Sequence, residues 1–434
     1  MFDPEAETRP WAEQVVRDDA AYRAQIDYLW ARSRFYKSKL MGHAAAMHGL
    51  PHIHELPFTE KSELRASCTV DNPIGSHLCA SREDIVRVFS TSGTTGTPSY
   101  IPLTAQDYEN WQTTSMRTYA TAGVRRGGGV VSTYNAGPFA AGAALPALDR
   151  LEAFHIPVGT GNTERLVTAI RLLKPKSAVL TPSYATYLAE WCAEQGFDLA
   201  ASSVENVIVG GEPGGGEPAL RARLEAAWGA EVREIMGIGD IGVSLWGECE
   251  HKSGMHFGGL GFVYPELVDP ATGASLKMED GARGELVLSH LMHQAAPLLR
   301  FRTRDHVEVW TSPCTCGRTA PRVRCIGRTD DMLIVRGVNV FPSAIREVVA
   351  EFMPRVSGHI LVMPEAAGVK QEPPLPIAVE LGKDQPADPA LAEAIKAKLR
   401  NVLVFTPAIE LAPFGSLARS EYKSKLVQHQ VIHE

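Results

Sequence analysis

The sequence lacks a long apolar run. Its longest weakly polar stretch, Ala136 to Leu148, is short and broken by glycine and proline, so it is not a membrane span. It also lacks a basic excess. Net charge is −7 with no long Lys/Arg run, and nucleic acid is not an expected partner. The N-terminal MFDPEAETRP has no apolar centre of the kind a signal peptide needs. Seven cysteines are an odd count in a long chain, so a disulfide framework is not expected and the cytoplasm is the expected compartment. No internal repeat or low-complexity tract stands out.

What remains is an ordinary globular composition, 44% hydrophobic and 21% charged, over 434 residues, which is too long for one core. Residues 11–40 read as helix, with Ile26, Leu29 and Trp30 at helical spacing. LPFTEKSELR (56–65) reads as a turn and a short helix, Thr59 as its N-cap. GGVVSTYN, AVLTPS and VENVIVGG read as buried strands, and TERLVTAIRLLK and PALRARLEAAW as amphipathic helices. That alternation predicts an α/β fold with a largely parallel sheet. From about 250 to 325 short strands dominate, and from 330 to 434 strands and helices form a small α+β unit, Leu391, Ile395 and Leu399 lying on one helix stripe.

FSTSGTTGTPSYIPLT (89–104) sets hydroxyl residues and glycines between two segments with strand character. Glycine lets a backbone approach a ligand closely, and N–H and hydroxyl groups donate to phosphate oxygens. A polar hairpin with no ligand is the other reading. The loop lacks the Gly-Lys-Ser/Thr ending of a Walker A loop.

The order STSGTTGTP resembles the phosphate loop of adenylate-forming enzymes, the acyl- and aryl-CoA synthetase superfamily. Further blocks resemble its phenylacetate–CoA ligase family in the same order: SRFYKSKL, LPFTEKSELR, KPKSAVLTPSYATYLAE, VIVGGEP, MGIGDIG, LLRFRTRD, the hinge-like CTCGRTAPRVRCIGRTDDMLIVRGVNVFPSAIREVV, and ARSEYKSKLV. The resemblance covers nearly the whole chain. It implies a large N-terminal adenylation domain, 1–329, and a mobile C-terminal lid, 330–434. It implies ATP-dependent conversion of an aromatic carboxylic acid to acyl-AMP with Mg²⁺, then transfer to CoA.

By that resemblance Ser92, Gly93, Thr94, Thr95 and Gly96 cradle pyrophosphate, Thr94 taking part in catalysis. Glu212 and Pro213 border adenine, beside Met236 and Gly237. Asp305 takes the ribose hydroxyls, Arg328 lies by the nucleotide, and Asp330 is the hinge. Lys423 reaches the α-phosphate and carboxylate, Asp240 faces Mg²⁺, and the Gly337 loop lines the thiol tunnel. Tyr134, Phe139, Ala140, Ala141 and Gly142 are the expected walls of the acid pocket, with Asn135 facing a ring substituent. The chain departs from the family at Met236 (usually aromatic), Gly239 (Ser), Asp240 (Glu), Arg304 (Gly) and Tyr422 (Gly).

Cys249, His256, Cys314 and Cys316 would make a Cys₃His set of structural-zinc type, with His251 as the alternative fourth ligand; buried thiols and surface histidines are the other reading. Cys68, Cys79, Cys192 and Cys325 read as ordinary buried residues. Arg322, Arg324 and Arg336 favour free CoA as acceptor. The alternatives are a carrier-protein phosphopantetheine, an amine, or an enzyme reduced to the thioester half-reaction. A homodimer is the assembly the family implies.

Overall fold

The architecture comes from a computed structural model that describes residues 1–91, 99–135, 137, 140–329, 331–336, 338–365, 370–418 and 426–428. The N-terminal helical stretch is two helices, Trp11–Arg32 and Arg34–Leu40. Ser33 divides them: its backbone is extended and its hydroxyl accepts the Tyr36 N–H. Tyr22, Ile26 and Leu29 are buried, but Trp30 points outward and is 40% exposed, so the expected stripe is narrower than its spacing suggested.

The next short helix, Lys61–Ala66, is capped by Glu60 in a reciprocal box with Glu63. Thr59 is therefore not its N-cap. Its N–H donates to the Arg300 carbonyl at 2.9 Å and its carbonyl accepts from Arg302 at 3.1 Å. That pairing ties the entry of the helix to the strand Phe301–Trp310.

One twelve-stranded sheet organises most of the chain. Five of its strands run parallel, in spatial order Glu231–Ile238, Asn206–Gly210, Ser177–Leu180, Gly129–Ser132 and Phe154–Pro157, so the sheet is mixed rather than largely parallel. The three strands from Gly129, Ser177 and Asn206 are buried throughout, as short all-apolar runs predict. Helices Thr163–Leu173, Pro182–Glu194 and Pro218–Trp228 cover one face, and helix Ala105–Thr121 covers the other.

The β-rich stretch is not a separate sheet. Glu231–Ile238 turns back antiparallel into Gly242–Glu248, and the ladder continues through Met255–Phe257, Arg322–Arg328, Phe301–Trp310, Arg283–His290 and Val263–Val268. The Gly-rich loop joins Ile85–Ser90 to Tyr100–Thr104, which pair antiparallel as a hairpin.

Beyond residue 330 the described residues build two three-stranded sheets and the helices Pro342–Ala350 and Pro389–Leu403. Leu391, Ile395 and Leu399 are buried there as the stripe predicts. This part has its own apolar cluster, running from Leu333 to Phe405. Among the described residues no helix is long and apolar enough to cross a membrane.

Candidate active site

Three predicted segments meet at the carboxyl ends of parallel strands, where open α/β sheets take their ligands. Tyr134 follows Gly129–Ser132, Glu212 and Pro213 follow Asn206–Gly210, and Met236 and Gly237 end the neighbouring Glu231–Ile238. The Tyr134 hydroxyl donates to the Gly210 carbonyl at 3.3 Å. The Ser183 N–H donates to Glu212 Oε1 at 2.7 Å, fixing the turn against the start of helix Pro182–Glu194. Gly237 has no substitute, because a Cβ there would overlap the Val243 backbone of the returning strand. A Cβ on Gly239 would lie 3.7 Å from Thr91 Cγ2 and 3.8 Å from Ala140 Cβ, so this turn sits between the end of strand Ile85–Ser90 and the segment at Ala140.

Ala140 and Gly142 are buried, and Ala141 packs against the core cluster that holds Tyr134. The Asn135 amide donates to Thr160 Oγ1 at 2.7 Å and is exposed, a loop contact within the chain. Ser92, Gly93, Thr94, Thr95, Gly96 and Phe139 lie outside the described residues. So do Asp330, Gly337, Tyr422 and Lys423.

Asp305 is buried on strand Phe301–Trp310, in register with Arg328, whose Nη1 stands 3.4 Å from Asp305 Oδ1. Arg304 before it holds φ +68°, the left-handed conformation a glycine would adopt freely. Its guanidinium meets Glu60 at 2.5 Å. The next residue, Lys61, meets Asp240 at 2.7 Å. Two departures from the family pattern, Arg304 and Asp240, are thus engaged by two consecutive side chains. His77 is buried beside Asp240, and burial pushes its imidazole down to about 4. Sequence reasoning missed Glu60 and Lys61, because nothing in their spacing announces two partners so distant along the chain.

Behind the Glu212–Pro213 turn lies Glu234, whose carboxyl is pushed up to about 8 by burial, then by neighbouring Glu248. Glu248 accepts the Arg221 guanidinium at 2.6 Å. Of the arginines expected to favour CoA, Arg322 is buried and held by Ser253 and Ser312, so it is a structural residue. Arg324 pairs with Glu308 at 2.9 Å, and Arg336 is exposed.

Away from this cleft, Cys249, His256, Cys314 and Cys316 converge, with one ligand atom of each lying within 4.8 Å of the others. Cys249 Sγ and Cys314 Sγ are 3.8 Å apart, and Cys316 Sγ is 3.4 Å from His256 Nε2. His251 is not among them; its imidazole faces Glu250. Hydrogen bonds from Cys249, then from His256, hold the Cys316 thiol far below the usual range. Of the other cysteines, Cys79 and Cys192 are buried as expected, Cys325 is intermediate, and Cys68 is exposed, contrary to expectation.

Family models match the chain as an AMP-binding enzyme over residues 37–292 and as an AMP-binding enzyme C-terminal domain over residues 337–430. A phenylacetate-coenzyme A ligase of Thermus thermophilus is 33% identical over 97% of both chains. The same-named ligase of Escherichia coli is 30% identical over 86% of this chain and 84% of its own. The chain belongs to the phenylacetate–CoA ligase family. It is an AMP-forming acid–CoA ligase, which activates a carboxylic acid as acyl-AMP with ATP and passes the acyl group to CoA. The adenylate-forming fold follows from the same likeness. A 2-hydroxyisobutyryl-CoA ligase in its postadenylation state superposes with a TM-score of 0.89 at 26% identity, over 99% of this chain and 92% of that one. The thioesterification state of that ligase, with CoA, gives 0.71 at 27% identity over 98% and 91%.

Proposed function

We propose that the acid activated by this family member is a small aromatic carboxylic acid, in the class of phenylacetate or benzoate. One observation carries the reading: Tyr134, Ala140 and the turn at Gly239 stand together at the carboxyl end of the sheet, beside Glu212 and Pro213. An aromatic wall with small residues suits a flat ring. The relatives named above as phenylacetate-coenzyme A ligases support the same class.

In adenylation a carboxylate oxygen attacks the α-phosphorus of ATP and pyrophosphate departs; the thiolate of CoA then displaces AMP from the acyl carbon. Both steps build charge on phosphate oxygens, so the residues act by positioning and charge stabilisation. We assign pyrophosphate to Ser92, Gly93, Thr94, Thr95 and Gly96, and adenine to Glu212, Pro213, Met236 and Gly237. Asp305 accepts the ribose hydroxyls, Arg328 accompanies the nucleotide, and Lys423 holds the reacting carboxylate and α-phosphate. Asp240 fits a divalent cation in charge; Lys61 engages one of its oxygens, and a carboxylate offers a second. Mg²⁺ would neutralise the departing pyrophosphate there. The chain divides at Asp330, and the 330–434 unit turns between half-reactions.

Cys249, His256, Cys314 and Cys316 hold a structural zinc ion in this reading. Zn–S bonds of about 2.3 Å set S···S edges of about 3.8 Å in a tetrahedron, and Cys249 and Cys314 stand 3.8 Å apart. A disulfide would need sulfurs about 2 Å apart.

A panel of aryl and aliphatic acids tests the substrate class, with acyl-CoA read by mass. Aryl acyl-CoA is the expected product. Activity confined to short aliphatic acids would replace the aryl reading, and adenylate formation without acyl-CoA would redirect it to a carrier-protein or amine acceptor.

A further inference from the structure

The seam between the residues beyond 330 and the rest of the chain mixes apolar and charged side chains: Leu220, Met353 and Leu361 line it, and His306 packs on Phe341, beside arginine–carboxylate pairs. The apolar cluster of the C-terminal part draws only on its own residues. Facing it across a cleft of about 840 Å³ are Ser183, Glu217 and Arg223, with His359 and Leu417 on the C-terminal side. Arg346, on helix Pro342–Ala350, crosses this seam. Its Nη2 donates to the Pro213 carbonyl at 2.9 Å and to Glu217 Oε1 at 2.6 Å, and its Nε donates to Glu217 Oε2 at 3.1 Å. The pair is bidentate and nearly enclosed, with side-chain exposures of 12% and 13%. A second arginine crosses the other way: Arg223 donates to the Ser357 carbonyl and to Glu190.

Arg346 therefore grips the turn that the functional reading gives to adenine, from a unit that must move. Glu217, Glu212 and Glu234 all act on its charge. Turning the C-terminal unit away strips that cation from three carboxyl groups at once. The arrangement seen here superposes better on the postadenylation state of the hydroxyisobutyryl-CoA ligase than on its thioesterification state, 0.89 against 0.71. A seam that encloses a cleft of this size is not close-packed along its length, and the arginine pairs that bridge it can break and re-form as the unit turns.

We propose that Arg346 is a positioning residue of the adenylation half-reaction alone. It steadies the Glu212–Pro213 turn for the nucleotide while the C-terminal unit is docked, and it lets go of Glu217 when the thiol step begins. The inference rests on the ligase reading above and on the assignment of that turn to adenine.

The test separates the two half-reactions in the full-length enzyme. Acyl-AMP formation is measured without CoA, and acyl transfer from purified acyl-AMP to CoA is measured without ATP. Arg346→Met and Glu217→Gln should each raise the KM for ATP and slow adenylation by about tenfold. Transfer from supplied acyl-AMP should be unchanged or faster. The charge-swapped Arg346→Glu/Glu217→Arg pair should recover adenylation relative to either single swap, which a merely misfolded variant would not. Parallel losses in both half-reactions, or no loss with an active parent enzyme, would overturn the latch. A parent enzyme that forms no acyl-AMP from any acid would overturn the functional reading, and the latch with it.

Discussion

Lys61 and Asp240 are 179 positions apart in the chain, and Lys61 Nζ stands 2.7 Å from Asp240 Oδ2. The lysine is one-third exposed and the aspartate nearly enclosed, so a fixed positive charge stands at the carboxylate assigned to Mg²⁺. The preceding residue, Glu60, meets Arg304 beside Asp305. A single short segment thus holds both Asp240 and the neighbour of Asp305, the two carboxylates proposed for Mg²⁺ and ribose.

Removing that charge should cost adenylation. Lys61→Met should lower pyrophosphate release by about 10²-fold, the scale of losing one charge-stabilising group, and, because Lys61 no longer occupies an oxygen of Asp240, should lower the Mg²⁺ concentration needed for half-maximal rate. Lys61→Arg should keep part of the activity. Rates measured across a Mg²⁺ titration check this; an unchanged Mg²⁺ dependence in the Met variant would remove Lys61 from the site.

The metal reading predicts about one zinc per chain in protein purified without a histidine tag. Cys316→Ser should lose it and melt at a lower temperature. Arg318 supports the cluster from outside: it hydrogen-bonds Cys316 and pairs with buried Glu7 at 2.6 Å. Glu7→Ala should keep the zinc but release it faster to a chelator, because outer-shell partners typically contribute about 10-fold or more to metal retention. Elemental analysis and chelator-release kinetics read both effects.

Glu234 makes stability fall with rising pH. Its folded pKa is raised to about 8 from 4.5 by burial, then by Glu248. The unfolded chain therefore ionises first, and the contribution present below pH 4.5 is lost as pH rises toward 8. Glu234→Gln should flatten the fall between pH 5 and 8, recovering roughly 3 kcal/mol at the upper end. Denaturant unfolding of parent and variant across that range measures it, and parallel curves would contradict it.

Gly237→Ala should misfold or lose several kcal/mol, on the order of 4, because the added carbon would overlap the Val243 backbone across the hairpin. A thermal melt reads it directly. The neighbouring Gly239→Ala should be mild by comparison, since its nearest contacts, at 3.7 and 3.8 Å, are side-chain carbons.

How much of this was legible in the sequence depends on the range of the interaction. Local period and ordered blocks identified the buried parallel strands, the Leu391–Ile395–Leu399 stripe and the Cys₃His set, because each is written in spacing or residue type. Capping at Glu60 in place of Thr59 was not legible, since the pull on Thr59 comes from Phe301, far along the chain. Trp30 fitted a helical stripe but fell at its edge. Arg322 was expected to favour CoA together with Arg324 and Arg336, but strand pairing buries it against Ser253 and Ser312. Lys61 and Arg346 were invisible for the same reason: each acts through a partner that only tertiary folding supplies.

In the proposed function, this chain makes an aryl adenylate and hands it to CoA. Pyrophosphate release with ATP, Mg²⁺ and a panel of aryl acids, with and without CoA, tests it most directly. Release should require an aryl acid, with the matching acyl-CoA appearing only when CoA is present. No pyrophosphate with any acid would contradict it.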